Sequence, residues 1–149
     1  MERFSDRVKR LVELIKTFNY QQAFNEFYDE DLTRVQNVGK WTLDAATYRD
    51  RIDAFMAKSS NRNIEIKNVI VNESMQMTII EYSYSLDHAE KGRIELGNVT
   101  IQKWQNGRIV FEKLYDTGLY VTQHSEAGAN ARKAETEAIA LTGNNAFAA

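Results

Sequence analysis

The stretch Ile94-Glu95-Leu96-Gly97-Asn98-Val99-Thr100-Ile101-Gln102-Lys103-Trp104-Gln105-Asn106-Gly107-Arg108-Ile109-Val110-Phe111-Glu112-Lys113-Leu114-Tyr115-Asp116 decides the fold. At its centre, Asn106-Gly107 is the strongest hairpin signal in the chain, since both residue types accept the left-handed backbone of a two-residue turn. The flanks, Ile94 to Trp104 and Arg108 to Asp116, are each long enough for a strand. Upstream, Met75 to Leu86 is rich in β-branched and aromatic residues, and Asp87 to Gly92 is a polar connection. From Asn63 the period is two, with Ile64, Ile66 and Ile70 on one face and Glu65 and Lys67 on the other. Four consecutive strands joined by short polar turns predict an antiparallel meander.

The N-terminal third has a different period. Phe4, Val8, Leu11, Val12, Ile15 and Phe18 recur at steps of three and four, the spacing of one helical face, with Arg7, Lys9, Arg10, Glu13 and Lys16 opposite. Asn19 stops that helix, and Tyr20, Ala23, Phe24, Phe27 and Tyr28 make a second stripe. Asp29-Glu30-Asp31 reads as an acidic break that ends the element rather than as a cation site. Leu32 to Trp41 predicts short extended pieces around the turn Asn37-Val38-Gly39. Thr42 is the expected N-cap of a third helix, with Asp44 in its first turn, where a negative charge suits the helix dipole. Ala45, Tyr48, Ile52, Phe55 and Met56 form its buried face, and Ser59-Ser60-Asn61 ends it. Three amphipathic helices need an apolar surface to cover, and the sheet supplies one.

A chain of 149 residues, 43% apolar and 27% charged, suits one globular domain that folds without metals or disulfides. Its 19 Lys and Arg are balanced by 21 Asp and Glu, for a net charge of −2. That argues against nucleic acid as a partner, since such proteins usually carry a basic face. With no Cys there is no thiolate metal site or Cys nucleophile, and the composition fits a reducing compartment. Only His88 and His124 supply imidazole, so no metal site is expected. The charged opening Met1 to Arg7 is unlike a signal peptide, and no apolar run nears the ~20 residues that cross a bilayer. A cytoplasmic protein without membrane association is the expectation. After Gln123 the composition shifts to Ala, Gly and Asn. Residues 125–149 are expected to be a mobile or weakly helical tail beyond a domain spanning 1–124.

The order helix, helix, turn with a third helix, then a meander resembles the NTF2-like cone, also called SnoaL-like or ketosteroid-isomerase-like. Phe27-Tyr28-Asp29-Glu30-Asp31 looks like that family's end of the second helix. Arg51-Ile52-Asp53-Ala54-Phe55-Met56 looks like its third, and Trp104 to Val110 like its aromatic–turn–Gly–basic–Ile hairpin. Ile109 to Asp116, continuing through Leu119 to Gln123, is similar to the close of SnoaL-like cyclases, an Asp followed by an apolar turn and a Gln. The resemblance covers residues 1–124. It implies an α+β fold of three N-terminal helices on a strongly curved, four- to six-stranded, mainly antiparallel sheet. The concave face would form a deep apolar pocket and the convex face a homodimer interface.

Alternation puts Val110, Glu112, Leu114 and Asp116 on one face, and Ile109, Phe111, Lys113 and Tyr115 on the other. The resemblance implies that Asp116 points inward, as the acid/base group of the cyclases does; the plain alternative is a strand-end Asp capping the next turn. Glu112 would lie deeper, ~13 Å along the strand and too far to share a proton. Steroid isomerases of this family place their base in an Asp-Pro-Val-Gly stretch. Here Gln36-Asn37-Val38-Gly39 matches it, and an amide cannot abstract a proton, though Gln36 is suited to hydrogen-bond a ligand. Tyr28, Trp41, Tyr48, Phe55, Tyr82, Tyr84 and Trp104 are the aromatics expected near the cavity, although any one of them more often packs a core than meets a ligand. Together they suit an apolar or aromatic small molecule. Asn98 and Thr100 interrupt an apolar face, to orient a ligand or to meet a dimer partner. His88 reads as solvated in a polar turn, and His124 as near the pocket mouth. Ile109, Phe111 and Tyr115 would be exposed apolar groups on a lone sheet, which points to a homodimer.

Nothing matches a phosphate loop, a Ser-His-Asp arrangement or a dinucleotide fingerprint, and no cofactor is expected. Two readings stay open. One is a small-molecule-binding domain with acid/base chemistry of an isomerase, cyclase or hydrolase; the other is a non-catalytic dimerisation or ligand-binding module.

Overall fold

A computed structural model describes residues 2–36 and 41–122. The elements run α1 (Phe4–Lys16), α2 (Tyr20–Phe27), β1 (Tyr28–Gln36), β2 (Trp41–Asp44), α3 (Ala45–Ala57), β3 (Ser59–Asn72), β4 (Met77–His88), β5 (Gly92–Gln105) and β6 (Arg108–Thr122). The six strands form one curved, unclosed sheet in the order β2-β1-β6-β5-β4-β3. Every neighbouring pair is antiparallel except β1 with β6. The α+β architecture expected from the two periodicities is therefore present. The Asn37-Val38-Gly39 turn, His124 and the segment 125–149 lie outside the described residues.

The helical stripes become the core lid. Phe4, Val8, Leu11, Val12 and Ile15 of α1 are buried, as are Tyr20, Ala23, Phe24 and Phe27 of α2. Phe18 takes a φ of 56°, which reverses the chain between the two helices. Two local expectations are corrected. Asp44, not Thr42, is the N-cap of α3: its Oδ1 accepts from Thr47 N at 2.8 Å, while Thr42 is spent in β2 opposite Val35. Asp29-Glu30-Asp31 does not follow a helix as a break, because α2 ends at Phe27 and the acidic residues belong to β1. There Asp29 is half-buried, and Glu30 and Asp31 are exposed.

The hairpin at Asn106-Gly107 forms with φ of 53° and 76°, the left-handed pair that a two-residue turn requires. Two bulges then set the facing of β6. Trp104 pairs with Ile109 and Lys103 with Phe111, so Val110 is an extra residue. The shift turns Ile109 into the core, fully buried beside Trp104. This corrects the simple alternation and removes Ile109 from the convex face; an inserted residue reverses the parity of everything before it. Further on, Asn98 pairs with Asp116 and Gly97 with Gly118, leaving Thr117 extra. Gly97 is needed opposite that bulge, because a Cβ there would collide with Thr117 Oγ1.

The narrow end of the concave face is closed by aromatic packing. Trp104 meets Phe4 edge-on at 5.3 Å and Phe27 at 6.0 Å, and its indole N–H donates to Thr78 Oγ1 at 2.9 Å. Among the described residues no helix is long and apolar enough to cross a membrane.

Candidate functional site

Successive cross-strand rows line the concave face, and each has its own chemistry. The first row is Thr78, Gln102, Glu112 and Arg34, side by side on β4, β5, β6 and β1. All four are buried, and together they form one polar network. Arg34 Nε donates to Glu112 Oε1 at 2.7 Å, while Tyr28 Oη (2.9 Å) and Gln102 Nε2 (2.8 Å) donate to Glu112 Oε2. Thr78 Oγ1 donates to Gln102 Oε1 at 2.8 Å. The Arg34 guanidinium lies 3.8 Å above the Tyr48 ring. The two buried charges thus compensate each other, and both oxygens of Glu112 accept hydrogen bonds, as a buried ion pair requires. Burial, with Glu112 beside it, pushes the Tyr28 phenol well above its ordinary pKa, so it stays a neutral donor.

The second row, Ile80, Thr100, Leu114 and Gln36, is mixed. Thr100 and Gln36 are buried, and Thr100 Oγ1 donates to Tyr82 Oη at 3.4 Å. Between these two rows and the helices lies a cavity of about 20 Å³, walled by Tyr20, Tyr28, Tyr48, Tyr82, Gln102 and Glu112, among others. That is room for one water, not for an organic ligand.

The third row is Tyr82, Asn98 and Asp116. Tyr82 and Asn98 are buried, whereas Asp116 is solvent-accessible. Because Thr117 is the bulged residue, Asp116 keeps the parity of Glu112 and Leu114 and stays on the inner face. Desolvation by the surrounding protein pushes its carboxyl up to about 7, against the opposing pull of the Arg34 cation. A carboxyl in that range is present as acid and as base at neutral pH, the condition for efficient proton transfer. Beyond this row, Tyr84 and Leu96 pair and are buried.

The structure brings most of the residues expected at the site to the inner face: Tyr28, Gln36, Tyr82, Tyr84, Asn98, Glu112 and Asp116. Glu112 belongs to the packed network and Asp116 to the accessible row. Phe55 is buried under α3, 5.0 Å from the His88 ring. Trp41 opens β2 opposite Gln36. His88 corrects its expectation: it is 6% exposed and not solvated. Its Nδ1 accepts from the backbone N–H groups of Glu90 (3.2 Å) and Lys91 (3.3 Å), and burial lowers its pKa. Asn98 and Thr100 face inward, not toward the convex side. Arg34, Gln102 and Thr78 were not anticipated. The available signal was parity, since each falls on the strand positions that also carry buried apolar residues. Among the described residues no cluster of His, Asp and Glu has metal-binding geometry.

No family model and no curated protein matches the sequence. Solved structures do resemble the fold. A Mesorhizobium loti protein carrying the provisional name SnoaL-like polyketide cyclase superposes with a TM-score of 0.63 at 15% identity, over 76% of this chain and 99% of its own. PrhC from Penicillium brasilianum gives 0.65 at 11% identity, over 97% and 96%. An NTF2-like protein from Burkholderia pseudomallei gives 0.61 at 11% identity, over 78% and 92%. The chain therefore has the NTF2-like, SnoaL-like cone fold. At such identities the likeness concerns the fold, and the chemistry rests on the residues themselves.

Proposed function

We propose that the chain binds a small apolar or aromatic molecule at the open end of the concave face, where Asp116 transfers a proton without a cofactor. The observation that carries this reading is the position of Asp116: on the inner face, accessible, and in one row with buried Asn98 and Tyr82. A ligand seated there would meet Asp116 itself, backed by buried Asn98 and Tyr82 of the same row. Asp116 as carboxylate would take a proton from an activated carbon of the ligand and, as the acid, return it to another atom. Isomerisation and cyclisation use that step; in a hydrolysis the carboxylate would take the proton of the attacking water and the acid would return it to the leaving atom. Neighbours in fold include proteins named as a cyclase and as a hydroxylase, so the fold is compatible with more than one chemistry.

The test has two stages. A thermal-shift screen of aromatic and polyketide-like molecules finds a ligand, and Asp116→Asn is then compared with the parent for binding and turnover. Binding within a few-fold with turnover lost is the expected result. Equal turnover by the Asn variant would end the catalytic assignment.

The filled interior favours a second reading, a non-catalytic module. With a deep cavity of only about 20 Å³, any ligand would be confined to the cone's mouth. Under either reading we infer a homodimer through the convex face, where Phe111 and Tyr115 are half-buried beneath Lys103 and Lys113. A Cys-free sequence suits a reducing setting such as the cytoplasm.

A further inference from the structure

We propose that a cleft on the outer surface, between α2, the start of β1 and the first turns of α3, is a separate binding site for a small aromatic zwitterion of the free amino acid class. The cleft has a volume of about 380 Å³ and opens to solvent away from the Asp116 row. That volume lies within the range of small-molecule sites.

Its floor is aromatic. Phe24 and Tyr28 line it with ring centroids 4.9 Å apart. Its walls carry both signs of charge. On α3, Arg49 and Asp50 are adjacent, and the small side chains of Ala45 and Ala46 one turn earlier leave the space beside them open. Across the cleft, Asp29 and Glu30 of β1 face it together with Arg108 of β6. Among the described residues none of these five charges takes part in an ion pair. Elsewhere on the same surface Arg10 is paired with Glu26 at 2.8 Å, so pairing is available to this chain and is not used around the cleft.

The charges have different freedom. Arg108 is fixed, donating Nη1 to Tyr28 O at 3.0 Å and Nη2 to Asn25 O at 3.2 Å. Arg49 lies over the Phe24 ring at 5.3 Å, which holds its guanidinium at the cleft while its N–H groups stay available for a carboxylate. Two cations set among three anions suit a ligand that carries both signs better than a simple anion. A molecule with an ammonium group for the carboxylates, a carboxylate for Arg49 and a ring for the floor matches all three features. The cleft shares only Tyr28 with the internal cavity, and it does not depend on the role of Asp116.

The experiment uses the full chain and L-phenylalanine as probe, followed by titration calorimetry and by amide chemical shifts in NMR. Hydrocinnamate lacks only the ammonium and 2-phenylethylamine only the carboxylate, and each should bind about tenfold or more weakly than the amino acid, the loss of one charge-assisted hydrogen bond. Arg49→Gln should weaken L-phenylalanine by a similar factor and leave 2-phenylethylamine unchanged, with shifts centred on residues 24–30 and 45–50. Asp116→Asn should leave L-phenylalanine binding at the parental value, which separates this site from the inner one. Absence of binding at millimolar probe, shifts centred on the inner face, or an Arg49→Gln variant that binds L-phenylalanine as the parent does would each overturn the proposal.

Discussion

Replacing Arg34 by Met tests the account of the interior most directly. Arg34 has no exposed surface, and its Nε sits 2.7 Å from Glu112 Oε1 on a side chain only 2% exposed. The replacement keeps an apolar stem against Tyr48 but leaves the Glu112 carboxylate held by two neutral donors, Tyr28 Oη and Gln102 Nε2. Stranding one partner of a buried pair costs about 3–5 kcal/mol. Folding stability in total is about 5–15 kcal/mol, so the loss is a large share of it. At about 2–4 °C per kcal/mol for a chain of this size, the melting temperature should fall by roughly 6–20 °C. Glu112→Gln strands the guanidinium instead and should cost a similar amount. The double variant Arg34→Met with Glu112→Gln keeps an acceptor for Tyr28 and Gln102 and contains no buried charge. It should be more stable than either single variant. Urea denaturation of the four proteins closes the cycle, with unchanged m-values as the check that unfolding stays two-state. Single variants costing under about 1 kcal/mol, or costs that simply add, would refute the claim that a desolvated ion pair organises the cone.

Three further outcomes follow from particular residues. Asp116 has a folded pKa of about 7, above its unfolded value near about 4, so the folded state holds this proton more tightly. Its contribution to stability is therefore full below about pH 4 and declines as pH rises toward about 7. Asp116→Asn should flatten that part of the stability profile, and carboxyl NMR should report the midpoint directly, moving upward in Arg34→Met because the opposing cation is gone. Gly97→Ala drives a Cβ into Thr117 Oγ1 and should cost about 1–3 kcal/mol by overpacking; adding Thr117→Ala should recover most of it, and no recovery would reject the bulge geometry. Light scattering at micromolar concentration should give a dimer mass for the parent and a smaller one for Phe111→Glu, whereas a parental monomer would remove the convex-face interface.

The parts of this fold that were legible in the sequence are those where burial repeats at a fixed period. Phe4 through Ile15 on α1 and Thr78 through His88 on β4 each keep one face buried without interruption. The bulges were not legible. An extra residue at Val110 or Thr117 leaves the composition of β6 unchanged, and only pairing with β5 reveals it. Asp44 and Thr42 are both good caps, and the choice was made by β2 pairing with β1. His88 could have been found by extending the even-numbered run Tyr82, Tyr84, Leu86 by one more step. The polar character of the turn that follows it argued the other way.

Arg34 was hidden for a more informative reason. Parity with Leu32 puts Arg34 on the inner face, but a charge there reads as unpartnered until its neighbour across the sheet is known. That neighbour is Glu112, reached through the one parallel pairing in the sheet. Since a lone buried charge is prohibitively unfavourable, Arg34 and Glu112 fix the register of β1 on β6 jointly, and a slip of β1 by one residue would turn Arg34 to the other face and leave Glu112 buried without its cation. Their row also divides the interior. On one side Phe4, Phe27, Trp104 and Ile109 pack without polar gaps; on the other lie Tyr82, Asn98 and the accessible Asp116. Under the proposed function, the same ion pair that sets the strand register leaves one end of the cone for a ligand. Arg34, through its charge, also restrains the pKa of the carboxyl there.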